Sequence, residues 1–478
     1  MHITSYPSTS DGTAPKAQNT AYVWMIALIA AMGGLLFGYD WVVIGGARQF
    51  YEAYFQLTSA QLIGWANSCA LVGCFAGSLL AGYAGERFGR RRVLFLSAVL
   101  FAVSSGLTGW SYSFSAFVFW RIVGGIAIGL SSNISPLYIA EISPASVRGR
   151  LVSLNQFAIV VGILLAQIAN WQIARPIPEH IAALDFLHTW NAQYGWRWMF
   201  CAVVAPAIVF TVSSLFIPES PRWLLSKGKD DAASEVLTRV GGHFYAVAEV
   251  ANIRKTLLIE AQSQASWKDL WLPGIRRVLL IGVTLAVLQQ WTGINILFNY
   301  AAEVYRSAGY GENDILLNIV ITGAINLIFT IIAMLIVDRV GRRPMMLFGC
   351  LGIGVSHLLS GLAYRANWHG SAVLLLTLGA IACYALTLAP VTWVLIAEIF
   401  PNRVRSQAVS VSVSALWVAS FILTYTFPAI DKALGSSGTF LGYGAICMLG
   451  ALFVYAYVPE TKGRTLEEIE ARVLFPGR

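Results

Sequence analysis

Runs of about 20 apolar residues recur along the whole chain, separated by short stretches that hold most of its charge. Each run is long enough to cross roughly 30 Å of hydrocarbon as a helix. The pattern predicts twelve such spans, near 22–47, 62–84, 93–111, 114–140, 150–173, 197–217, 275–301, 314–337, 344–363, 371–397, 406–428 and 439–458. The fold class is therefore an all-α integral membrane protein. Residues 1–20 are polar, rich in Ser and Thr and without a basic start, which predicts a disordered tail ahead of a retained first span. The interval 218–274 divides the spans six and six. Its stretch 229–262 has helical spacing and mixed charge, so short helices are expected there. Residues 459–478 form a second tail.

Composition agrees with a membrane class. Hydrophobic residues make up 57% of the chain and charged residues 12%, too few to cover a soluble surface. Aromatics reach 13%, with 16 Trp, as suits ring-rich membrane interfaces. The net charge of +8 sits in loops between spans, which is a topology signal and not a nucleic-acid face. Arg87, Arg90, Arg91, Arg92, Arg148, Arg150, Arg339, Arg342, Arg343, Arg403 and Arg405 fall on one side, together with 218–274 and the final tail. That side is expected to be cytoplasmic, with both termini on it. The opposite loops hold little beyond Arg48, Arg175, Arg306, Arg365 and Lys432. Cys69, Cys74, Cys201, Cys350, Cys383 and Cys447 stand singly in apolar surroundings, with no metal-ligand spacing and no disulfide framework.

The two halves repeat each other. Glu86-Arg87-Phe88-Gly89-Arg90-Arg91 follows span two, and Asp338-Arg339-Val340-Gly341-Arg342-Arg343 follows span eight. Glu141-x-x-Pro144-x-x-x-Arg148 follows span four, and Glu398-x-x-Pro401-x-x-x-Arg405 follows span ten. Pro218-Glu219-Ser220-Pro221-Arg222 ends span six, and Pro459-Glu460-Thr461-Lys462-Gly463 ends span twelve. Three pairs in one order, after equivalent spans, indicate an internal duplication.

Taken with Gln289-Gln290-Trp291-Thr292-Gly293-Ile294-Asn295, these motifs make residues 20–470 resemble the sugar porter family of the major facilitator superfamily. The resemblance implies two pseudo-symmetric six-helix bundles, at 21–217 and 275–458, around a central cavity that opens alternately to either side. It is closest to the bacterial proton-linked monosaccharide symporters. Glu86, Arg87, Arg91, Glu141, Arg148, Arg150 and Glu219 are read as one charged network. Asp338, Arg339, Arg343, Glu398, Arg403, Arg405 and Glu460 are read as its counterpart. Positive-inside topology explains the arginines but not the paired acids, so a latch that closes the cytoplasmic mouth in the outward-facing state is expected.

Polar residues inside spans face a protein interior or a wet cavity. Span seven holds Gln289, Gln290, Asn295, Asn299 and Tyr300, with Gly293 free to unwind the helix among them. Each amide offers donors and an acceptor, which suits the alternating hydroxyls of a neutral sugar. Amides in membranes also bridge helices, and that reading stands beside the first. The resemblance adds Gln156 and Gln167 in span five, Asn326 in span eight, Trp393 in span ten and Trp417 in span eleven as sugar contacts. Leu416 stands where relatives carry an amide, so the preferred sugar is left open among glucose, xylose, galactose, arabinose and inositol.

Two full charges lie inside spans, Asp40 and Arg121. An unpaired charge at that depth costs several kcal/mol, so each is expected to be the other's partner. A static pair is one reading. The other is a proton site, because a carboxylate that gains and loses an Arg partner changes its proton affinity with conformation. Proton-linked members carry Asp at this position, whereas facilitative relatives carry a neutral residue, so symport leads and facilitated uniport is the alternative. No HExxH, GxSxG or GxxxxGK[ST] motif is present and the six His residues are dispersed, which argues against an enzyme, a cofactor or a metal site. A transporter-like sugar sensor is the alternative from another class, although 459–478 is short for a signalling tail. The partners expected are a monosaccharide, a proton and the lipid bilayer, with a monomer implied by the resemblance.

Overall fold

The computed structural model describes residues 19–178, 183–262, 267–368, 370–401 and 403–462, and every regular element among them is helical. Most of the two expected tails, 1–18 and 463–478, lies outside the described residues. Among those residues, 11 helical segments are long and apolar enough to cross a membrane. Spans one to six are Thr20–Tyr54, Ala60–Phe88, Arg90–Gly109, Phe114–Ile142, Arg148–Ile173 and Asn191–Ser214. Spans seven to ten are Pro273–Asn299, Asn313–Val337, Arg342–Arg365 and Ser371–Ile396. The last segment, Arg405–Tyr457, has 53 residues. At 1.5 Å per residue it would run about 80 Å, far beyond one bilayer crossing. Its backbone leaves the helix at Gly435 (φ 67°, ψ 167°), so it is two spans, eleven and twelve, and the total is twelve.

Close helix packing rests on small residues, because lipid offers no hydrophobic drive between helices. Gly73 and Gly77 of span two meet Ile122 and Ile126 carbonyls of span four, while Gly125 and Gly129 return the contact on Ala70 and Cys74. A Cβ on any of the four would collide with backbone. Span one meets span five the same way, through Gly38 on Ile159 and Gly162 on Leu35. Large side chains such as Leu79, Leu80, Ile208 and Leu452 stay exposed, as lipid-facing positions should.

Between spans six and seven, helices cover Pro221–Ser226, Asp230–Gly241 and His243–Gln262, followed by a 3₁₀ turn at Trp267–Trp271. The named contacts between the two halves lie at mid-depth and on the side opposite this linker. Gly45 of span one packs on Phe298 of span seven, Gly64 of span two on Tyr425 of span eleven, and Gln167 of span five on Gly323 of span eight.

Span one differs from the sequence expectation. It continues to Tyr54, so Arg48 is not a loop residue but is 6% exposed inside the last turns of the helix. The guanidinium Nε bonds Glu52 one turn on at 2.5 Å, and its plane lies 4.3 Å from the Tyr300 ring centroid. These partners make the burial affordable where an isolated Arg would end the span.

Candidate functional site

Span seven is a broken helix. Its first part ends at Trp291, with Thr292 as the cap, and Gly293 takes the left-handed conformation (φ 82°). A second helix, Ile294–Asn299, then starts, and Ala301–Ser307 continues it. Only glycine fits here, because a Cβ at 293 would lie 2.8 Å from the Tyr443 ring as well as straining the backbone. The break brings the amides together. Gln289 Nε2 donates to Leu388 O at 3.4 Å, and Gln290 Nε2 donates to Gln289 Oε1 at 3.2 Å. Asn295 Nδ2 donates to Gln290 Oε1 across the break. Three of the amides singled out in the sequence thus form one chain, buried but linked mainly to each other.

The remaining predicted contacts divide. Gln167 is 1% exposed with neither side-chain polar atom partnered, and Asn299 Oδ1 is likewise buried without a partner. Asn326 is buried in span eight, while Gln156 is half-buried in span five. Trp417 is buried and its indole N–H has no partner. Its ring centroid lies 6.0 Å from Trp41 and 6.2 Å from Phe37, both on span one, so an aromatic trio joins the two halves. Trp393 is half-exposed. Tyr300 is committed elsewhere: its hydroxyl donates to Thr424 O at 2.7 Å and its ring sits under Arg48. Leu416 is buried beside Trp417 and offers no polar atom.

Asp40 and Arg121 meet as the sequence implied. They are 2% and 3% exposed, and Arg121 NH1 donates to both carboxylate oxygens, at 3.0 and 2.9 Å. The contact is end-on through one nitrogen, while Arg121 Nε is buried without a partner. The Phe200 ring lies under the guanidinium at 5.3 Å. A buried pair held through a single nitrogen is less fully satisfied than a two-nitrogen fork, so it is easier to part.

On the linker side the two charge networks repeat almost atom for atom. Arg90 forks onto Glu141 at 2.9 and 3.0 Å, and Arg342 reaches Glu398 at 3.4 Å. Ser220 Oγ donates to Glu141 and Thr461 Oγ1 to Glu398, each at 2.6 Å. Glu219 accepts from the backbone N–H groups of Arg90 and Arg91, and Glu460 from those of Arg342 and Arg343. Glu219 therefore caps the N-terminus of span three and Glu460 that of span nine, where helix dipole and free N–H groups favour an anion. Gly89 (φ 93°) and Gly341 (φ 105°) turn the chain sharply enough to place those N–H groups. Arg91 NH2 and Arg343 NH2 cap Leu215 and Tyr455 carbonyls. Arg148 donates to Ser143 O and Arg405 to Phe400 O, each within its own loop.

Other predicted members stand apart. Arg87 bonds Tyr83, Glu86 contributes its backbone carbonyl to the Trp223 indole, and Arg150 and Arg339 are exposed. Arg403 pairs with Asp269 of the linker at 2.9 Å. The Asp338 side chain lies outside the described residues. Sequence reasoning missed Arg90, Arg342, Ser220 and Thr461 as the direct partners of the acids. The signal was available, since the residue after each motif glycine opens a helix and turns inward. Every bond named here stays within one half or between a half and the linker.

The far side does hold ties between the halves. Arg48 NH2 lies 3.8 Å from Glu303 Oε2, and Arg306 bonds Gln49. Asn313 of span eight both donates to and accepts from the Ile177 backbone, at 3.1 and 3.0 Å.

Twelve spans in two repeated halves, a broken helix at the centre and an ion pair at mid-depth define a secondary transporter of the major facilitator class. The sequence model of the family described as "Sugar (and other) transporter" matches residues 26–472, and the chain belongs to that family. It is 38% identical to the D-xylose-proton symporter of Escherichia coli, over 95% of this chain and 96% of the relative. It is 35% identical to the glucose facilitated diffusion protein of Zymomonas mobilis, over 94% and 97%. Among solved structures it resembles the inward-open xylose transporter XylE from E. coli with TM-score 0.82 and 38% identity, over 94% of this chain and 99% of that one.

Proposed function

We propose that this protein is a proton-coupled monosaccharide symporter working by alternating access, with Asp40 carrying the proton and Arg121 as its switching partner. The observation that carries the proposal is the buried Asp40–Arg121 pair, held end-on inside a sugar transporter fold. A static pair would need no such weak geometry. A proton carrier needs a contact that can open. Gln289, Gln290 and Asn295 form the main hydroxyl-reading wall, joined by Gln156, Gln167, Asn299 and Asn326, with Trp393 and Trp417 offering aromatic faces to the C–H side of a pyranose. Tyr300 serves the closed far side and not the sugar in this state.

The basic linker side is cytoplasmic, both termini lie there, and the protein works as a monomer in a cell membrane. Ties on the far side and self-contained networks on the linker side support an inward-facing state. Opening outward breaks the far-side ties and brings the exposed arginines Arg87, Arg148, Arg150 and Arg339 toward the acids of the other half, which is where a cytoplasmic latch forms. Facilitated diffusion is the second reading, and the glucose facilitator relative favours it. The deciding experiment is uptake of a panel of labelled monosaccharides into proteoliposomes, with external pH recorded. Alkalinisation on adding the transported sugar supports symport. Sugar entry without proton entry establishes facilitation.

A further inference from the structure

The break in span seven frees a backbone carbonyl in the middle of the membrane. In a continuous helix Thr292 O would accept from the Ile296 N–H, but that N–H goes to Gly293 O at 3.1 Å. In lipid a freed carbonyl must find a donor from elsewhere in the protein. It finds His357 of span nine, whose Nε2 lies 2.9 Å from Thr292 O. A carbonyl only accepts, so Nε2 carries the hydrogen. Cys447 Sγ of span twelve gives the same oxygen a longer second contact at 3.7 Å.

His357 has little freedom to be anywhere else. It is 1% exposed, with the rings of Phe440 and Tyr443 at 5.5 and 6.2 Å from its own. Its cluster also reaches the break itself, since Tyr443 is the ring that excludes a side chain at Gly293. A buried imidazole in a span is costly unless its polar atoms are used. The use here is at a particular place: Gln290 lies two residues before Thr292, Asn295 three after, and these two amides bond each other across the break. Their separation is set by the angle between the two pieces of span seven. The His357 bond is made to the carbonyl at the junction of those two pieces.

We propose that His357 is a positioning residue for sugar binding, holding the Thr292 carbonyl so that the amides on either side of the break stay at the spacing a sugar needs. This rests on span seven being the binding wall. A group held in place by a neighbour keeps its ordering cost low when ligand arrives, so loss of the neighbour weakens binding without touching the ligand.

The test uses the full-length protein in proteoliposomes, with labelled D-glucose and D-xylose as probes. His357→Leu and His357→Met remove the donor and keep apolar bulk; His357→Gln keeps an N–H donor. The expected result is a KM raised about tenfold in the Leu and Met variants with Vmax within about twofold, and a KM near wild type in the Gln variant. Gln290→Ala and Asn295→Ala run in parallel. If these two leave KM unchanged, the wall assignment falls and the His357 role with it. If they raise KM while His357→Leu and His357→Met do not, the wall stands and the positioning role is overturned. Equal weakening in the Leu, Met and Gln variants also overturns it, since ring volume and not the donor would then matter. Should both apolar variants fail to assemble, the Gln variant decides alone: wild-type KM supports the role and a tenfold rise refutes it.

Discussion

Gln290 and Asn295 satisfy each other in the empty site, so a sugar hydroxyl must displace one amide–amide bond to gain its own. Removing Gln290 takes away the partner of Asn295, removing Asn295 leaves Gln290 bonded only to Gln289, and either change takes one partner from the ligand. At about 1–3 kcal/mol for such a loss, Gln290→Ala or Asn295→Ala should weaken sugar binding roughly tenfold to a hundredfold. Calorimetry on the purified variants measures this directly, and unchanged affinity in both removes span seven from the site. At this scale the sequence was informative about residue type and poor about direction. A cluster of amides within an apolar run is visible from spacing alone, and three of them do converge. Tyr300 follows Asn299 directly and was grouped with it. Yet neighbours on a helix face different ways, and its ring turns to Arg48. His357 passed unnoticed among dispersed histidines, because the carbonyl it serves exists only once the helix is known to break.

At the scale of elements, Glu219 and Glu460 show why motif counting fell short. The motifs named the acids correctly but suggested arginine side chains as their partners. What the acids meet first is the N–H end of an earlier span, through Arg90 and Arg91 of span three in one half and Arg342 and Arg343 of span nine in the other. Side-chain spacing does not reveal backbone donors. The length of span one is hidden in the sequence for a related reason: Arg48 has the character of a loop residue, and its compensation by Glu52 and the Tyr300 ring lies partly in another helix. The two linker-side networks invite a quantitative check. Arg90→Ala takes the cation from Glu141 and leaves it the Ser220 hydroxyl, and Arg342→Ala leaves Glu398 the Thr461 hydroxyl, each at about 1–3 kcal/mol and each within its own half. Networks that lie in separate halves should give additive losses. The thermal midpoint of the detergent-solubilised protein should therefore fall in each single variant and by about the sum in the double variant. A double variant no worse than the poorer single one would reveal coupling across the mouth, and the networks would then act as one latch.

For the whole molecule, the duplicated motifs made the architecture legible, since twelve spans and a repeated order leave little freedom in how two halves face each other. The conformational state was not legible. One sequence must satisfy both end states, and ties between the halves, such as Arg48 with Glu303, join residues far apart along the chain. Coupling lives at this scale, because it links a buried charge in one half to a rocking motion of both. In the present state Asp40 faces Arg121 as a close charged pair. On the proposed mechanism, outward opening parts the pair and Asp40 takes up the proton that is carried with the sugar. If sugar binds better to that protonated form, one equilibrium joins both fluxes, and each ligand raises the affinity of the other by the same factor. Asp40→Asn imitates the protonated acid permanently. The variant should still bind sugar and exchange labelled for unlabelled sugar across a vesicle membrane at a rate within about tenfold of wild type, since exchange needs only rocking with sugar bound. It should not accumulate sugar when a proton gradient is imposed, and it should show no alkalinisation on sugar addition where the wild type does. Gradient-driven accumulation that survives in Asp40→Asn would make the pair a structural brace and place the proton on another group.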